Sequence, residues 1–164
     1  MSWYLVVRFL HIFSATMLIG GIFGRQLIRS YVKNADNVHD IATLSRAAGR
    51  IENFMVIPGN LAVILFGVIL ALMIKAPIFG FLQGAPRNWL LVSNLLLLLG
   101  FLAVPLFFVP RGKKFDIALQ NALDKQEITL ELRVFLDDKI IQVAHVIEMF
   151  VVVCIAFLMV FKPF

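Results

Sequence analysis

The stretch Trp3–Gly24, WYLVVRFLHIFSATMLIGGIFG, decides the fold: across it only Arg8 and His11 can carry a charge near neutral pH. A helix rising about 1.5 Å per residue crosses a hydrocarbon core of roughly 30 Å in about 20 residues, so the stretch reads as a membrane span. Three more runs follow it, Phe54–Ile74, Asn88–Val109 and Ile140–Phe161, in a chain that is 61% apolar. Lipid offers no water to backbone N–H and C=O groups, so helices are expected throughout. The first run lacks a basic leader and a small-residue cleavage site, and Arg25 and Arg29 follow it directly, so it is expected to stay attached as span one.

Basic residues sort by side. The connection 25–53 carries Arg25, Arg29, Lys33, Arg46 and Arg50, and the connection 110–139 carries Arg111, Lys113, Lys114, Lys125, Arg133 and Lys139. Only Arg8, Lys75, Arg87 and Lys162 fall on the other side. Cytoplasmic loops hold the Lys/Arg excess, which places both termini outside and both connections inside. The net charge of +5 follows from this asymmetry, and with no nucleic-acid-binding motif the chain does not read as a nucleic-acid binder. In 164 residues, four spans and two connections leave no room for a soluble catalytic unit. The expected fold is all-α: one membrane domain, 1–164, built as an antiparallel four-helix transmembrane bundle.

Small residues recur as Gly20-x-x-x-Gly24 and Gly67-x-x-x-Ala71, a pattern of close helix packing more often than of a specific dimer face. The single cysteine, Cys154, lies deep in span four and reads as a buried, inert thiol. The connections should be helical. Asp36–Arg50 leads into span two until Pro58-Gly59 kinks it, and Pro110-Arg111-Gly112 reads as a turn. Phe115, Ala118, Leu119, Ala122 and Leu123 mark an amphipathic helix that lies on the membrane or packs on a neighbour. The run Lys125–Asp138 reads as a helix continuous with span four, so the bundle should stand a few turns proud of the inner surface.

The polar residues inside the spans form two layers. His11, Ser14, Ser93 and Asn94 lie in the outer part, and Asn60, Gln142, His145 and Glu148 in the inner part. An ionised group at the centre of a span costs about 2.5 to 3.5 kcal/mol or more, which is why such residues mark sites. An offset of roughly 13 Å between His11 and His145 argues against a single haem ligated by both. Each histidine is otherwise as much an interhelical hydrogen-bonder as a ligand. Glu148 is either a protonated bridge to Asn60 or His145, or a proton relay. The scattered Met17, Met55, Met73, Met149 and Met159 look like apolar filling more than copper ligands. Topology alone accounts for Arg25 and Arg29, whereas Arg8, one turn before His11, must snorkel outward or hold an anion.

Arg8-Phe9-Leu10-His11-Ile12-Phe13 with Gly20-Gly21-Ile22-Phe23 resembles the first span of the haem-containing, membrane-embedded protoporphyrinogen oxidases of bacteria. Arg50-Ile51-Glu52-Asn53 with Pro58-Gly59, Trp89 at the start of span three, and Val160-Phe161-Lys162 resemble that family's later landmarks. The family carries a functional lysine early in span three, where this chain has Ser93, and a serine cannot supply an amine. The resemblance therefore implies a tetrapyrrole pocket rather than protoporphyrinogen oxidation. The superfamily also includes copper-resistance membrane proteins and groups of predicted integral membrane proteins with no assigned role, and the chain is most similar to those groups.

Together these readings predict a protein of the bacterial inner membrane that binds haem b, with His11 the first axial-ligand candidate and His145 the second. One-electron transfer from a membrane-soluble donor such as a quinol would make it an oxidoreductase or a redox accessory, with Glu148 and His145 passing protons. Arg8, Arg25 and Arg29 would pair haem propionates, and Ser93, Asn94 and Asn60 would line the pocket. The alternatives are a cofactor-free structural subunit of a homo-oligomer or larger membrane complex, a diverged protoporphyrinogen oxidase, and a copper-handling protein.

Overall fold

The computed structural model describes residues 2–164, and α1, Trp3–Lys33, is its first element. At about 1.5 Å per residue it runs for about 46 Å, well beyond the apolar core of a bilayer. It ends where the N–H groups of Asn34 and Ala35 turn back to the carbonyls of Tyr31 and Val32. After a short turn, Asn37 caps α2, Val38–Ile51, by accepting a hydrogen bond from the His39 N–H. A π turn, Glu52–Val56, joins α2 without a break to α3, Ile57–Met73. A 3₁₀ turn at Gly80–Gln83 precedes α4, Trp89–Ala103. A second π turn, Val104–Phe108, joins α4 to α5, Val109–Lys125. Thr129 caps α6, Leu130–Leu136, and Asp138 caps α7, Lys139–Phe161.

Every regular element among the described residues is helical, and four rods are long and apolar enough to cross a membrane: 3–33, 38–73, 89–125 and 130–161, the last of them broken at Asp137–Asp138 between α6 and α7. The spans expected over 3–24, 54–74, 88–109 and 140–161 are thus the apolar parts of longer rods. Two expectations are corrected. Pro110-Arg111-Gly112 is helical, not a turn. A proline ring presses on the carbonyl four residues earlier, and for Pro110 that carbonyl belongs to Leu106, inside the wide π turn that lets it move aside. Pro58 stands in the same relation to Phe54 and the first π turn, at the place where a kink was expected. The second correction concerns 125–138, which is not continuous with span four. The chain breaks at Gln126–Thr129 and again at Asp137–Asp138, because the Asp138 carboxylate accepts from the N–H groups of Ile140 and Ile141 and starts a new helix.

α1 packs along α2 and α3, α4 along α7, and the two pairs meet through α1 with α7 and α2 with α5. Two different forces hold the two ends. The projecting end is a water-type core in which Ile41, Ala118, Ala122 and Leu132 are fully buried against Val32 and Val38. The α5 helix therefore packs on its neighbours rather than lying on the membrane. Burial of a side chain such as Ile41 or Leu132 contributes about 1.5 to 3 kcal/mol. Within the apolar length that driving force vanishes, since lipid is as apolar as leucine, and close backbone approach replaces it. A Cβ at Gly59 would stand 3.0 Å from the Leu18 backbone nitrogen, and one at Gly21 would stand 2.9 Å from Cβ of Met55. Facing pairs advance in step along this seam, from Leu18 and Gly59 to Gly21 and Val56 to Arg25 and Glu52.

Candidate functional site

At the junction of the two ends, where the apolar length gives way to the projecting core, five ionisable side chains from three rods converge. Arg25 and Arg29 stand one turn apart on α1, and His145 and Glu148 share a face of α7 at a spacing of three. Glu52 is the first residue of one π turn, and Phe108 is the last residue of the other. Arg25 donates through Nη1 to Glu52 and through Nη2 to Glu148. Arg29 donates to Nε2 of His145, whose Nδ1 lies 3.1 Å from Oε2 of Glu148. The Phe108 ring stacks on His145 with centroids 4.7 Å apart.

These contacts assign the proton. Arginine only donates, so Nε2 of His145 accepts, and Nδ1 carries the hydrogen that it gives to Glu148. Histidine is then neutral, and two guanidinium groups balance two carboxylates. That balance is what permits the cluster in a low-dielectric setting, where an unmatched ion would cost several kcal/mol. Arg25 and His145 are buried, while the side chains of Glu52 and Glu148 keep 30% and 21% of their surface open, so the carboxylates are the accessible part. Arg25 Nε and Gln26 Oε1 are buried without a protein hydrogen-bond partner among the described residues.

The outer layer is built differently. Nδ1 of His11 lies 3.1 Å from the carbonyl of Val63, and the ring rests against Gly67, where a Cβ would come within 3.0 Å of Cε1. A carbonyl can only accept, so Nδ1 is the protonated nitrogen and the lone pair lies on Nε2. Ser14 and Ser93 are buried but bond within their own helices, to the carbonyls of Leu10 and Trp89. Asn94 donates to the Ile78 carbonyl, Asn60 is half-buried, and Arg8 is exposed. His11 and Arg29 are 18 residues apart on one helix, so His11 and His145 are separated by roughly 20 Å or more along the bundle. No single haem iron can take both, because its two axial ligands face each other across one atom.

Family comparison decides the class. A model of predicted integral membrane proteins, DUF2269, matches residues 5–163. The chain belongs to that family. No curated protein and no solved structure matches it. A DUF2269 member is an integral membrane protein, in agreement with four rods of spanning length.

Within this DUF2269 member, the sequence reading had paired Glu148 with His145 and missed Glu52 as a site residue. The signal was available: a buried arginine at the end of span one needs a counter-charge, and Glu52 opens span two at the same depth. Among the described residues, no three His, Cys, Asp or Glu side chains come together as a metal-holding group. Haem iron asks less, a single imidazole with its far nitrogen anchored. His11 fits that requirement through its bond to Val63, whereas both nitrogens of His145 are engaged. Arg25 and Arg29 are likewise engaged, which leaves Arg8 as the arginine placed to meet an anion near His11.

Proposed function

We propose that this membrane protein binds haem b through Nε2 of His11 and serves in electron transfer with a membrane-soluble donor such as a quinol. The observation that carries the reading is the ring of His11. Its Nδ1–H is tied to the Val63 carbonyl and its face is set against Gly67, so the Nε2 lone pair is fixed in direction. An imidazole oriented this way by its second nitrogen is the usual arrangement of a histidine ligand. When bound, the group would supply one-electron redox chemistry. The chain's own part would be to hold the neutral imidazole in place and exclude water, with Arg8 one turn away to meet a propionate.

The ionic cluster would handle protons. Glu148 accepts from both Arg25 and His145, and Arg25 also holds Glu52. If Glu148 takes up a proton, Arg25 keeps a carboxylate partner, so the extra charge does not strand a buried ion. By the distribution of lysine and arginine, the projecting end would face the cytoplasm, with both termini outside.

The test is an absorbance spectrum, oxidised and dithionite-reduced, of protein purified from haem-replete cells, beside His11→Ala and His145→Ala variants. A haem b spectrum lost with His11 and kept with His145 is expected. A second reading has its own observation, because both terminal nitrogens of Arg25 and Nη1 of Arg29 already find partners inside the protein, as in a purely structural keystone. The chain would then be a cofactor-free subunit of a larger membrane complex. A colourless, well-folded wild type carrying stoichiometric partners would select it and discard haem.

A further inference from the structure

The α2–α3 rod carries one continuous exposed stripe along its length. From the far end it runs Leu72, Val68, Leu65, Leu61, Ile57 and Phe54, all exposed, at the spacing of three or four that keeps residues on one helix face. Between Phe54 and Leu72 this stripe covers about 27 Å at about 1.5 Å per residue, close to the roughly 30 Å of a hydrocarbon core. Its side chains therefore fix the depth of the rod in the bilayer.

Past Phe54 the π turn Glu52–Val56 intervenes and the chemistry of the exposed surface changes. Arg50 and Arg46, both exposed, follow at spacings of four, and with Thr43 and Ala47 they line a shallow groove of about 170 Å³. Gly49 leaves open space beside it, with nothing within 4 Å of where its Cβ would be. Neither arginine is in an ion pair among the described residues, in contrast to Arg25 and Arg111. By the same rise, Arg50 stands about 6 Å and Arg46 about 12 Å beyond the apolar stripe. A headgroup layer is roughly 5 to 8 Å deep on each side of the core, so the backbone of Arg50 lies within it and that of Arg46 about 4 Å or more beyond it, a distance its long side chain can span.

We infer that the groove binds the phosphate of an anionic phospholipid whose acyl chains lie along Phe54–Leu72. Two guanidinium groups with a threonine hydroxyl match phosphate oxygens, and the adjoining apolar stripe matches the tails, a pairing a free anion would not use. The site is separate from the ionic cluster and from His11 and does not depend on either being a redox site.

Native mass spectrometry of the detergent-solubilised protein with added phosphatidylglycerol or phosphatidylcholine tests it. The variants are Arg46→Ala with Arg50→Ala, and Lys113→Ala with Lys114→Ala, which remove the same charge from the same end. Wild type and the lysine variant should retain phosphatidylglycerol and not phosphatidylcholine, and the arginine variant should bind it about 30-fold more weakly. An intermediate loss on Arg46→Lys with Arg50→Lys would support paired guanidinium recognition. Equal loss in the arginine and lysine variants would reduce the effect to diffuse charge and overturn the site. Displacement of the lipid by millimolar inorganic phosphate would also overturn it, in favour of a small-anion site.

Discussion

The imidazole of His11 rests on Gly67 so closely that a β-carbon there would stand 3.0 Å from Cε1 and 3.3 Å from Nδ1. The glycine is thus part of how the histidine is aimed. Gly67→Ala should tilt the ring off the Val63 carbonyl, at a cost of about 1 to 3 kcal/mol from overpacking. In haem-loaded protein the Soret band should shift or weaken, while Gly100→Ala, which meets nothing within 4 Å, should leave it unchanged. Identical spectra for both variants would dissociate Gly67 from the ligand.

Arg25 is the hub of the ionic cluster, and its removal leaves two carboxylates against the single charge of Arg29. Arg25→Ala should lower stability by about 3 to 5 kcal/mol, read as a large drop in melting temperature in detergent. A charge-matched pair, Arg25→Met with Glu52→Gln, should recover most of that loss, since Arg29 and Glu148 still balance and no unmatched ion remains. A single Arg25→Ala variant that melts with wild type would mean that the cluster does not bear on the fold.

Glycines in this chain divide by surroundings. Gly59→Ala should be destabilising by about 1 to 3 kcal/mol, because the Leu18 backbone opposite it cannot give way. Gly49→Ala and Gly112→Ala, in helix interiors with open space, should be neutral or stabilising by up to about 1 kcal/mol. Melting curves of the three variants separate the classes.

Asp138 has two tasks, capping α7 and pairing with Arg111 at 3.4 Å. Asp138→Ala should cost about 1 kcal/mol, and Asp138→Asn, which keeps the cap and loses only a partly exposed ion pair, should cost less. Equal losses would assign the effect to the pair instead.

Substituted-cysteine labelling in a Cys154→Ser background tests the orientation. Gln83→Cys should react with an impermeant maleimide added to intact cells, and Gln126→Cys only after the membrane is opened. The reverse pattern would invert the topology inferred from basic residues.

The four spans were legible because composition alone demands them: no other environment suits Phe54–Ile74 or Ile140–Phe161. The continuation of span two was legible as well, since Asp36–Arg50 reads as a helix leading into it and Val38–Ile51 is one, whereas the extension of α1 to Lys33 was not, because beyond Gly24 it carries no uninterrupted apolar run. Pro110-Arg111-Gly112 misled, since a proline and a glycine signal a turn only when the preceding helix cannot widen, and here it does. In the site, His145 with Glu148 could be seen as neighbours on one helix. Arg25 with Glu52 and Arg29 with His145 are pairings across 27 and 116 positions, which no local spacing reveals. The chemistry of His11 was visible as a residue type, whereas its orientation depends on Val63 and Gly67 from another rod.

Each π turn is a phase slip. An α-helix advances about 100° per residue, so one surplus residue within a turn re-aims everything beyond it by about that angle. The rods 38–73 and 89–125 each carry one slip at the junction, so either half can be aligned to its own surroundings independently of the other. Losing or gaining a residue at Glu52–Val56 would throw the lipid-side and water-side halves out of step, whereas the same change in the connection 126–129 would be absorbed. Members of the family should therefore vary freely in length between rods and hold their length within them.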